Sequence, residues 1–448
     1  MKKTEQNEKK CDTICPIPWV FQAIRNNGDV RLCCQANITK NRGVVRKSDG
    51  TSFNAGRDNL YEAWQSDFMK DVRKTMLRGE WPEECARCRI EEESGVTSRR
   101  ENEVDMWNWD IEKARASTNS QGMSTNLPEY YDLRFGNFCN LSCRMCGPTD
   151  SHQWYKEWAD YYKIDWFLDT QGKVKLKKDH KGRLFTNDYD WHSNDSFWKQ
   201  IEAEIPYMKH VYMAGGEPLL IERHYEFLKK CVDMDAAKNI ILEYNTNLTT
   251  LPDRVLKEYW PEFKQVRIGA SIDGMGAVQE YQRYPSKWSA IYKNLERMNE
   301  LCRDNKNIIS WLAVTITVYN LFHLPEFMWW KLHSGLDHIN TSEKKSIIIP
   351  HMQHAPQRTS IQVFPPETKQ RAKEHYQKWR ERFQNSDFSD EIKDQAIKIL
   401  DSTESYMVAD DKSHKYLDEF IEFTRFLDKS RGQDITDAIP ELGDIFER

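Results

Sequence analysis

At 448 residues the chain is about three times the common domain length, enough for two or three domains or one large α/β barrel with additions. Its 65 basic and 70 acidic residues are well mixed, and the formal net charge of -5 excludes a global field that would draw it onto nucleic acid or an anionic membrane. No apolar run long enough for a signal peptide or a membrane span occurs, so a cytoplasmic protein is expected, one in which the eleven cysteines are not a disulfide framework.

The first ninety residues hold Cys11, Cys15, Cys33, Cys34, Cys85 and Cys88. Asn27-Gly28, between "WVFQAI" and "VRLCC", predicts a hairpin turn that brings Cys15 near Cys33 or Cys34. Leu60, Trp64, Phe68, Val72 and Met76 recur every four residues and predict one amphipathic helix ending at Gly79, with Cys85 and Cys88 just beyond it. A hairpin, a helix and a C-x2-C can close four thiolates around one centre, for which zinc and iron-sulfur are both allowed.

Six β-branched runs follow, starting at Tyr130, His210, Asn239, Gln265, Ser310 and, less regularly, Thr359 ("TSIQVFP"), with amphipathic stretches such as "RHYEFLKKCVDM" and "WSAIYKNLERMNELCRD" between them. Strand and helix alternating in this way predict an α/β fold: a partial (β/α)6 TIM-like barrel whose ligand site lies at the carboxyl ends of the strands. Those ends carry Cys139, then Gly215-Gly216-Glu217, then Asn245 and Asn247, then Ser271 and Asp273. About sixty residues from Thr149 to Pro206 interrupt the rhythm, rich first in aromatics and then in charge, and read as a lid, a substrate platform or a small subdomain. Lys173 to Lys181 reads as the solvated edge of a hairpin. Beyond Phe364 the chain turns to charged amphipathic helix. The expected domains are thus 1–100, a small α+β unit with the front cysteines; 128–365, the partial barrel with its insertion at about 149–206; and 366–448, a C-terminal helical extension. Cys231 and Cys302, standing alone, read as small buried hydrophobes.

"RFGNFCNLSCRMCGP" places Cys139, Cys143 and Cys146 in the loop after the first barrel strand with no fourth protein ligand nearby. Structural zinc ordinarily takes four protein ligands, whereas an iron-sulfur group can use three cysteines and leave one iron open. This C-x3-C-x2-C resembles that of the radical S-adenosylmethionine superfamily, and the resemblance extends over about residues 130 to 320. It implies that Cys139, Cys143 and Cys146 hold a 4Fe-4S cluster whose free iron binds S-adenosylmethionine. It further implies that Gly215, Gly216 and Glu217 of "AGGEP" meet the methionyl ammonium, and that Ser271 and Asp273 of "SIDG" contact the ribose and carboxylate region. Arg283 falls where related enzymes place a carboxylate-binding arginine, and Asn245, Asn247 and Asn320 fall in segments similar to the third- and fifth-strand ones. Met145 stands where the family has an aromatic residue.

The front cysteines, with their glycine turn, "EAW" helix and terminal C-x2-C, resemble the Twitch or SPASM auxiliary-cluster domain. That resemblance implies a second 4Fe-4S cluster on Cys15, Cys33, Cys85 and Cys88, with Cys34 able to replace Cys33 and Cys11 a bystander. The family usually carries this module after the barrel, and here it precedes it. The implied activity is reductive cleavage of S-adenosylmethionine to a 5′-deoxyadenosyl radical and hydrogen abstraction from substrate. Oxidative modification of a peptide or protein is favoured by the auxiliary-domain resemblance. Dehydrogenation of a small molecule and a non-catalytic metal-binding scaffold are the alternatives. The implied partners are the substrate and an external flavodoxin- or ferredoxin-like electron donor, without membrane or nucleic acid.

Overall fold

The structure, a computed structural model, describes residues 13–36, 43–341 and 346–447, so Cys11 lies outside the described residues. Its internal contacts define two units. The first comprises the described residues up to Gly136 together with 170–172 and 187–215; the second comprises 137–169, 173–186 and the described residues from 216 onward. The insertion is therefore divided between the two units. The C-terminal helices belong to the same compact unit as the strands from Ile241 onward.

In the first unit, β1 (Phe21–Ile24) turns through Asn27-Gly28 into antiparallel β2 (Val30–Arg31), as the turn chemistry predicts. Gly28 has φ +85°, and a Cβ there would stand 2.7 Å from the Asn54 side chain, so the position admits only glycine. β1 runs parallel to β3 (Tyr130–Arg134), and β3 runs parallel to β4 (His210–Ala214). The single helix expected over 60–76 is two helices, Leu60–Trp64 and Asp67–Leu77. Ser66 breaks the run because its hydroxyl accepts the Met69 N–H as an N-cap. The fully buried Arg73 then takes the freed Trp64 carbonyl at 2.9 Å. Gly79, at φ +75°, ends the second helix as expected.

In the second unit, β5 (Ile241–Thr246), β6 (Gln265–Ser271), β7 (Ile308–Ile316) and β8 (Ile349–Met352) are parallel neighbours in that order. One face is apolar: Leu242, Tyr244, Val266, Ile268, Leu312 and Val314 are buried. The covering helices Glu222–Asp233 and Trp288–Asp304 contribute Phe227, Leu228, Ile291, Leu295 and Met298 to this layer. The other face, with Glu243, Asn245, Arg267, Ser271, Trp311 and Thr315, is half-buried or exposed. Cys231 packs in the core, and burial pushes the Cys302 thiol up to about 12, as inert thiols require.

The sixth strand is not "TSIQVFP". That segment forms two 3-10 turns, Gln357–Thr359 and Ile361–Val363, flanked by Pro356 and Pro365 and capped by Ser360. Ile349–Met352 takes the edge of β7 instead, in register from Ala313 to Ile316. Lys173, Lys175, Lys177, Lys178 and Lys181 are exposed around buried Val174 and Leu176, the hairpin edge expected from the sequence. Among the described residues no helix is long and apolar enough to cross a membrane.

Candidate functional site

The loop after β3 carries Cys139 and Cys143, both buried, and Cys146, half-buried. Each cysteine is fixed through its backbone. The Cys139 N–H donates to His152 Nδ1 at 3.3 Å, Trp154 Nε1 donates to the Cys143 carbonyl at 3.2 Å, and the Cys146 N–H donates to that same carbonyl at 3.0 Å. The loop also pairs with the segment that follows β6: the Ser142 N–H donates to the Tyr284 carbonyl at 2.7 Å and the Arg144 N–H to the Gln282 carbonyl at 2.8 Å. That pairing sets Arg283 beside the cysteines, its Nη1 4.0 Å from Cys143 Sγ, while Asn247 Nδ2 lies 3.8 Å from Cys139 Sγ.

The thiols stand in a dry place. Burial pushes the Cys139 thiol up to about 12, and the Cys146 thiol, hydrogen-bonded to Cys143, is raised while that of Cys143 is lowered. Thiols so placed become ligands when a cationic metal group replaces their protons. Among the described residues no three His, Cys, Asp or Glu side chains converge tightly enough to hold a single ion. Three soft donors on one loop, with the Arg283 guanidinium directed at the Cys143 sulfur and the Asn247 amide at that of Cys139, fit a larger iron-sulfur group.

Gly215 and Gly216 both have positive φ (+82° and +53°), and a Cβ on Gly216 would stand 2.2 Å from the Phe138 carbonyl oxygen. Glycine therefore lets this turn lie directly on the start of the cysteine loop, where the Glu217 N–H donates to Phe138 O at 2.9 Å. The Glu217 side chain is 1% exposed and accepts from Thr246 Oγ1 (2.7 Å), the Asn247 N–H (2.7 Å) and the Leu219 N–H (3.2 Å). It ties the turn to the carboxyl end of β5, and burial pushes its carboxyl up to about 7.

Asp273 and Arg283 are engaged with each other. Arg283 Nε and Nη2 donate to the two Asp273 carboxylate oxygens at 2.6 and 3.0 Å, with Gln282 Nε2 and the Thr315 N–H adding bonds of 2.8 and 2.7 Å. Asn320 caps this corner, its Nδ2 donating to the carbonyls of Asp273 and Thr315, both at 2.9 Å. Ser271 is the last residue of β6 and half-buried; Asn245 lies exposed on the open face of β5, in register with Gly269, whose missing side chain leaves room for the amide.

In the first unit, Cys15, Cys33, Cys85 and Cys88 line one pocket. Burial pushes the Cys15 thiol up to about 12 and raises those of Cys85 and Cys88. Cys34 does not line this pocket. Cys33 donates a hydrogen bond to it and Arg99 Nη1 donates to its sulfur, and together they bring the Cys34 thiol down to about 6. Of the two adjacent cysteines, Cys33 is thus the one that lines the pocket with Cys15, Cys85 and Cys88.

The sequence reading did not single out His152, Trp154, Arg144 or Arg99. The first two stand six and eight residues past Cys146 at the start of the insertion, and only the fold of the loop turns them back. Arg99 had a legible signal: "SRRE" places two arginines in the first turn of a helix, where cations are disfavoured.

A three-cysteine loop at the ligand end of parallel strands, in a chain with a separate four-cysteine pocket, is the arrangement that the resemblance to radical S-adenosylmethionine proteins implies. Residues 133–319 match the model of the radical SAM superfamily, and residues 15–89 match that of SPASM, an iron-sulfur cluster-binding domain. The chain thus carries a radical SAM domain, of the α/β partial-barrel class, with a SPASM-type domain ahead of it in sequence. Such a protein takes a 4Fe-4S group and S-adenosylmethionine in the first domain and further iron-sulfur in the second. No curated protein matches the chain. Among solved structures it is similar to native anSMEcpe with bound AdoMet and Cp18Cys peptide, at 15% identity and TM-score 0.32 over 56% of this chain and 59% of that one. It is also similar to Streptococcus suis SuiB, at 11% identity and TM-score 0.31 over 77% and 67% of the two chains. The chain thus spans about three-fifths of the length of the first of these, 59%.

Proposed function

We propose that the chain is an enzyme that holds an iron-sulfur group on Cys139, Cys143 and Cys146, cleaves S-adenosylmethionine reductively, and abstracts hydrogen from a peptide or protein side chain to give an oxidised product. The observation that carries the reading is the pair of unequal donor sets: an incomplete set of three thiols on the loop after β3, and four thiols around one pocket in the first unit. When bound, the open group and its ligand supply one-electron cleavage of a carbon-sulfur bond.

The chain's own residues position and exclude. Gly215 and Gly216 offer bare backbone to an approaching ammonium, and Glu217 supplies the nearby carboxylate. The Arg283–Asp273 pair holds a fixed guanidinium beside Cys143. Ser271 and Asn245 present hydroxyl and amide groups from the strand ends. Cys15, Cys33, Cys85 and Cys88 would complete the coordination of a second group, which favours electron acceptance over direct substrate ligation and hence an oxidative outcome.

A peptide substrate is favoured by a groove of about 1110 Å³ in the second unit, lined by His152, Tyr155, Lys156, Trp166, Arg183 and Phe185. It exceeds the roughly 300–1,000 Å³ of ordinary small-molecule pockets and starts at His152, the residue that accepts the Cys139 N–H. Among the described residues one pocket rather than two is lined by four cysteines, which favours the second reading, dehydrogenation of a small molecule. An external flavodoxin- or ferredoxin-like donor supplies the electron.

The test is anaerobic reconstitution with iron and sulfide, reduction by dithionite, and assay of 5′-deoxyadenosine. The wild type produces it and the C139A/C143A/C146A variant does not. A fully iron-loaded, reduced wild type that leaves S-adenosylmethionine intact would overturn the catalytic reading in favour of a metal-binding scaffold. Mass spectrometry of peptide and small-molecule fractions after turnover, read for loss of two hydrogens, separates the substrate classes.

A further inference from the structure

Two cations stand at the four-cysteine pocket, and they are not equivalent. Arg100 is fully engaged: its Nε and Nη2 grip the Glu92 carboxylate at 2.7 and 2.6 Å, and its Nη1 donates to the Ile14 carbonyl at 3.0 Å. Arg99 also lines the pocket, but only part of its donor fork is used: Nη2 reaches Glu103 at 2.8 Å, Nη1 reaches Cys34, and Nε is buried without a partner. Buried guanidinium donors are rarely left so. Arg31, within electrostatic reach of Cys33 and Cys34, shows the same sign, with Nε and Nη1 buried and unpartnered and only Nη2 bonded, to the Ala36 carbonyl.

The backbone placement of Arg99 deepens the anomaly. It is the first residue of the helix Arg99–Trp107, whose start is locked by a reciprocal capping box between Ser98 and Glu101. The positive end of a helix repels a cation, so an arginine held there, beneath the Phe21 ring, needs an anion in front of it. Glu103 supplies one charge from the next turn. Cys34, at Nη1 with its thiol brought down to about 6, supplies a second, which leaves the buried Nε for the pocket lined by Cys15, Cys33, Cys85 and Cys88, where four thiolates around an iron-sulfur core would make a net negative group.

We infer that Arg99 is a positioning residue that donates from Nε to the iron-sulfur group held by Cys15, Cys33, Cys85 and Cys88, and that its charge, backed by Arg31, raises the reduction potential of that group so that it accepts an electron. The inference rests on reading this pocket as an iron-sulfur site. Net charge and hydrogen bonds to sulfur are levers by which a protein sets such potentials, and a buried charge-assisted bond is worth enough to move the equilibrium about tenfold.

The experiment uses the full chain in the C139A/C143A/C146A background, so that all iron bound belongs to this pocket, and reads iron content together with midpoint potential by an EPR-monitored redox titration. With about four irons per chain, Arg99→Gln is expected to lower the oxidised-to-reduced equilibrium constant about tenfold, a fall of ~59 mV for a one-electron couple. Arg99→Lys, which keeps the charge but not the fork, recovers at least half of that shift. Glu103→Gln leaves every cysteine in place and removes the anion competing for Arg99, so it moves the potential upward. This variant decides the matter if Arg99→Gln fails to load. Unchanged potentials in iron-loaded Arg99→Gln or Glu103→Gln overturn the donor role. A background protein that takes up zinc, or no iron, overturns instead the reading of the pocket on which the inference rests.

Discussion

Asp428 is 284 residues from Arg144 in the chain and bonded to it in the structure. Arg144 stands between Cys143 and Cys146, is 0% exposed, and lies 3.6 Å from the Tyr281 ring, with Nε on the Tyr281 carbonyl at 3.0 Å. Asp428 supplies its charge partner and also accepts the Tyr281 hydroxyl at 2.8 Å and the Ile435 N–H at 3.0 Å. Asp428→Ala therefore leaves a buried guanidinium with neutral partners alone, the Gln433 amide oxygen at 3.1 Å, the Tyr281 carbonyl at 3.0 Å and an aromatic face. Breaking a buried pair costs about 3–5 kcal/mol, and the surviving contacts place this one near ~3 kcal/mol. At a urea slope of about 3 kcal/mol per molar, the unfolding midpoint of the second unit falls by about 1 M. Iron uptake by the Cys139 loop falls with it, because the strained arginine is part of that loop. Arg144→Met/Asp428→Leu removes both charges and recovers at least half of the loss, since burial of the pair carries its own desolvation cost. A midpoint change in Asp428→Ala equivalent to less than about 1 kcal/mol, the range of an exposed pair, would refute the reasoning.

Gly216→Ala forces a Cβ to within 2.2 Å of Phe138 O at a φ of +53°, so the turn must leave the cysteine loop. The expected result is a chain that folds, keeps its first-unit iron and loses S-adenosylmethionine binding, checked by equilibrium dialysis. Cys33→Ser is expected to deplete iron in the first unit while Cys34→Ser retains it, read by iron content in the C139A/C143A/C146A background, because only Cys33 lines the pocket. Glu217 has its carboxyl raised by burial from 4.5 to about 7, so the folded protein binds its proton more tightly than the unfolded chain. That contribution to stability is full below about pH 4.5 and is lost as pH rises through about 7, ~3 kcal/mol in all at 1.36 kcal/mol per unit. In the metal-free chain, denaturation across this window is expected to show the decline, and Glu217→Gln to flatten it.

The chemistry of the site was legible wherever it depends on neighbours in sequence. C-x3-C-x2-C, Gly215-Gly216-Glu217, and the hairpin at Asn27-Gly28 are local patterns, because a loop ligand set and a positive-φ turn are specified within a few residues. Five of the six barrel strands and the helices Glu222–Asp233 and Trp288–Asp304 were likewise readable from period and composition. The break at Ser66 was not, because an N-cap serine inside a regular apolar repeat looks like one more polar position until a buried Arg73 takes the freed carbonyl. Nor was the sixth strand, since an edge is decided by which segment reaches β7 in register, and Ile349–Met352 does so where proline-flanked "TSIQVFP" cannot.

Amino-acid order alone determined which residues can bind soft metal groups and how many donors each set offers. Tertiary structure decided which partner each charged residue answers to. It paired Arg283 with Asp273 beside Cys143, turned Glu217 inward onto Thr246 and Asn247, put Cys33 rather than Cys34 among the four thiols, and brought Asp428 to Arg144. These choices depend on contacts between segments tens to hundreds of residues apart, and on burial, which strengthens a charge pair and penalises an unpaired charge in ways that no local spacing encodes.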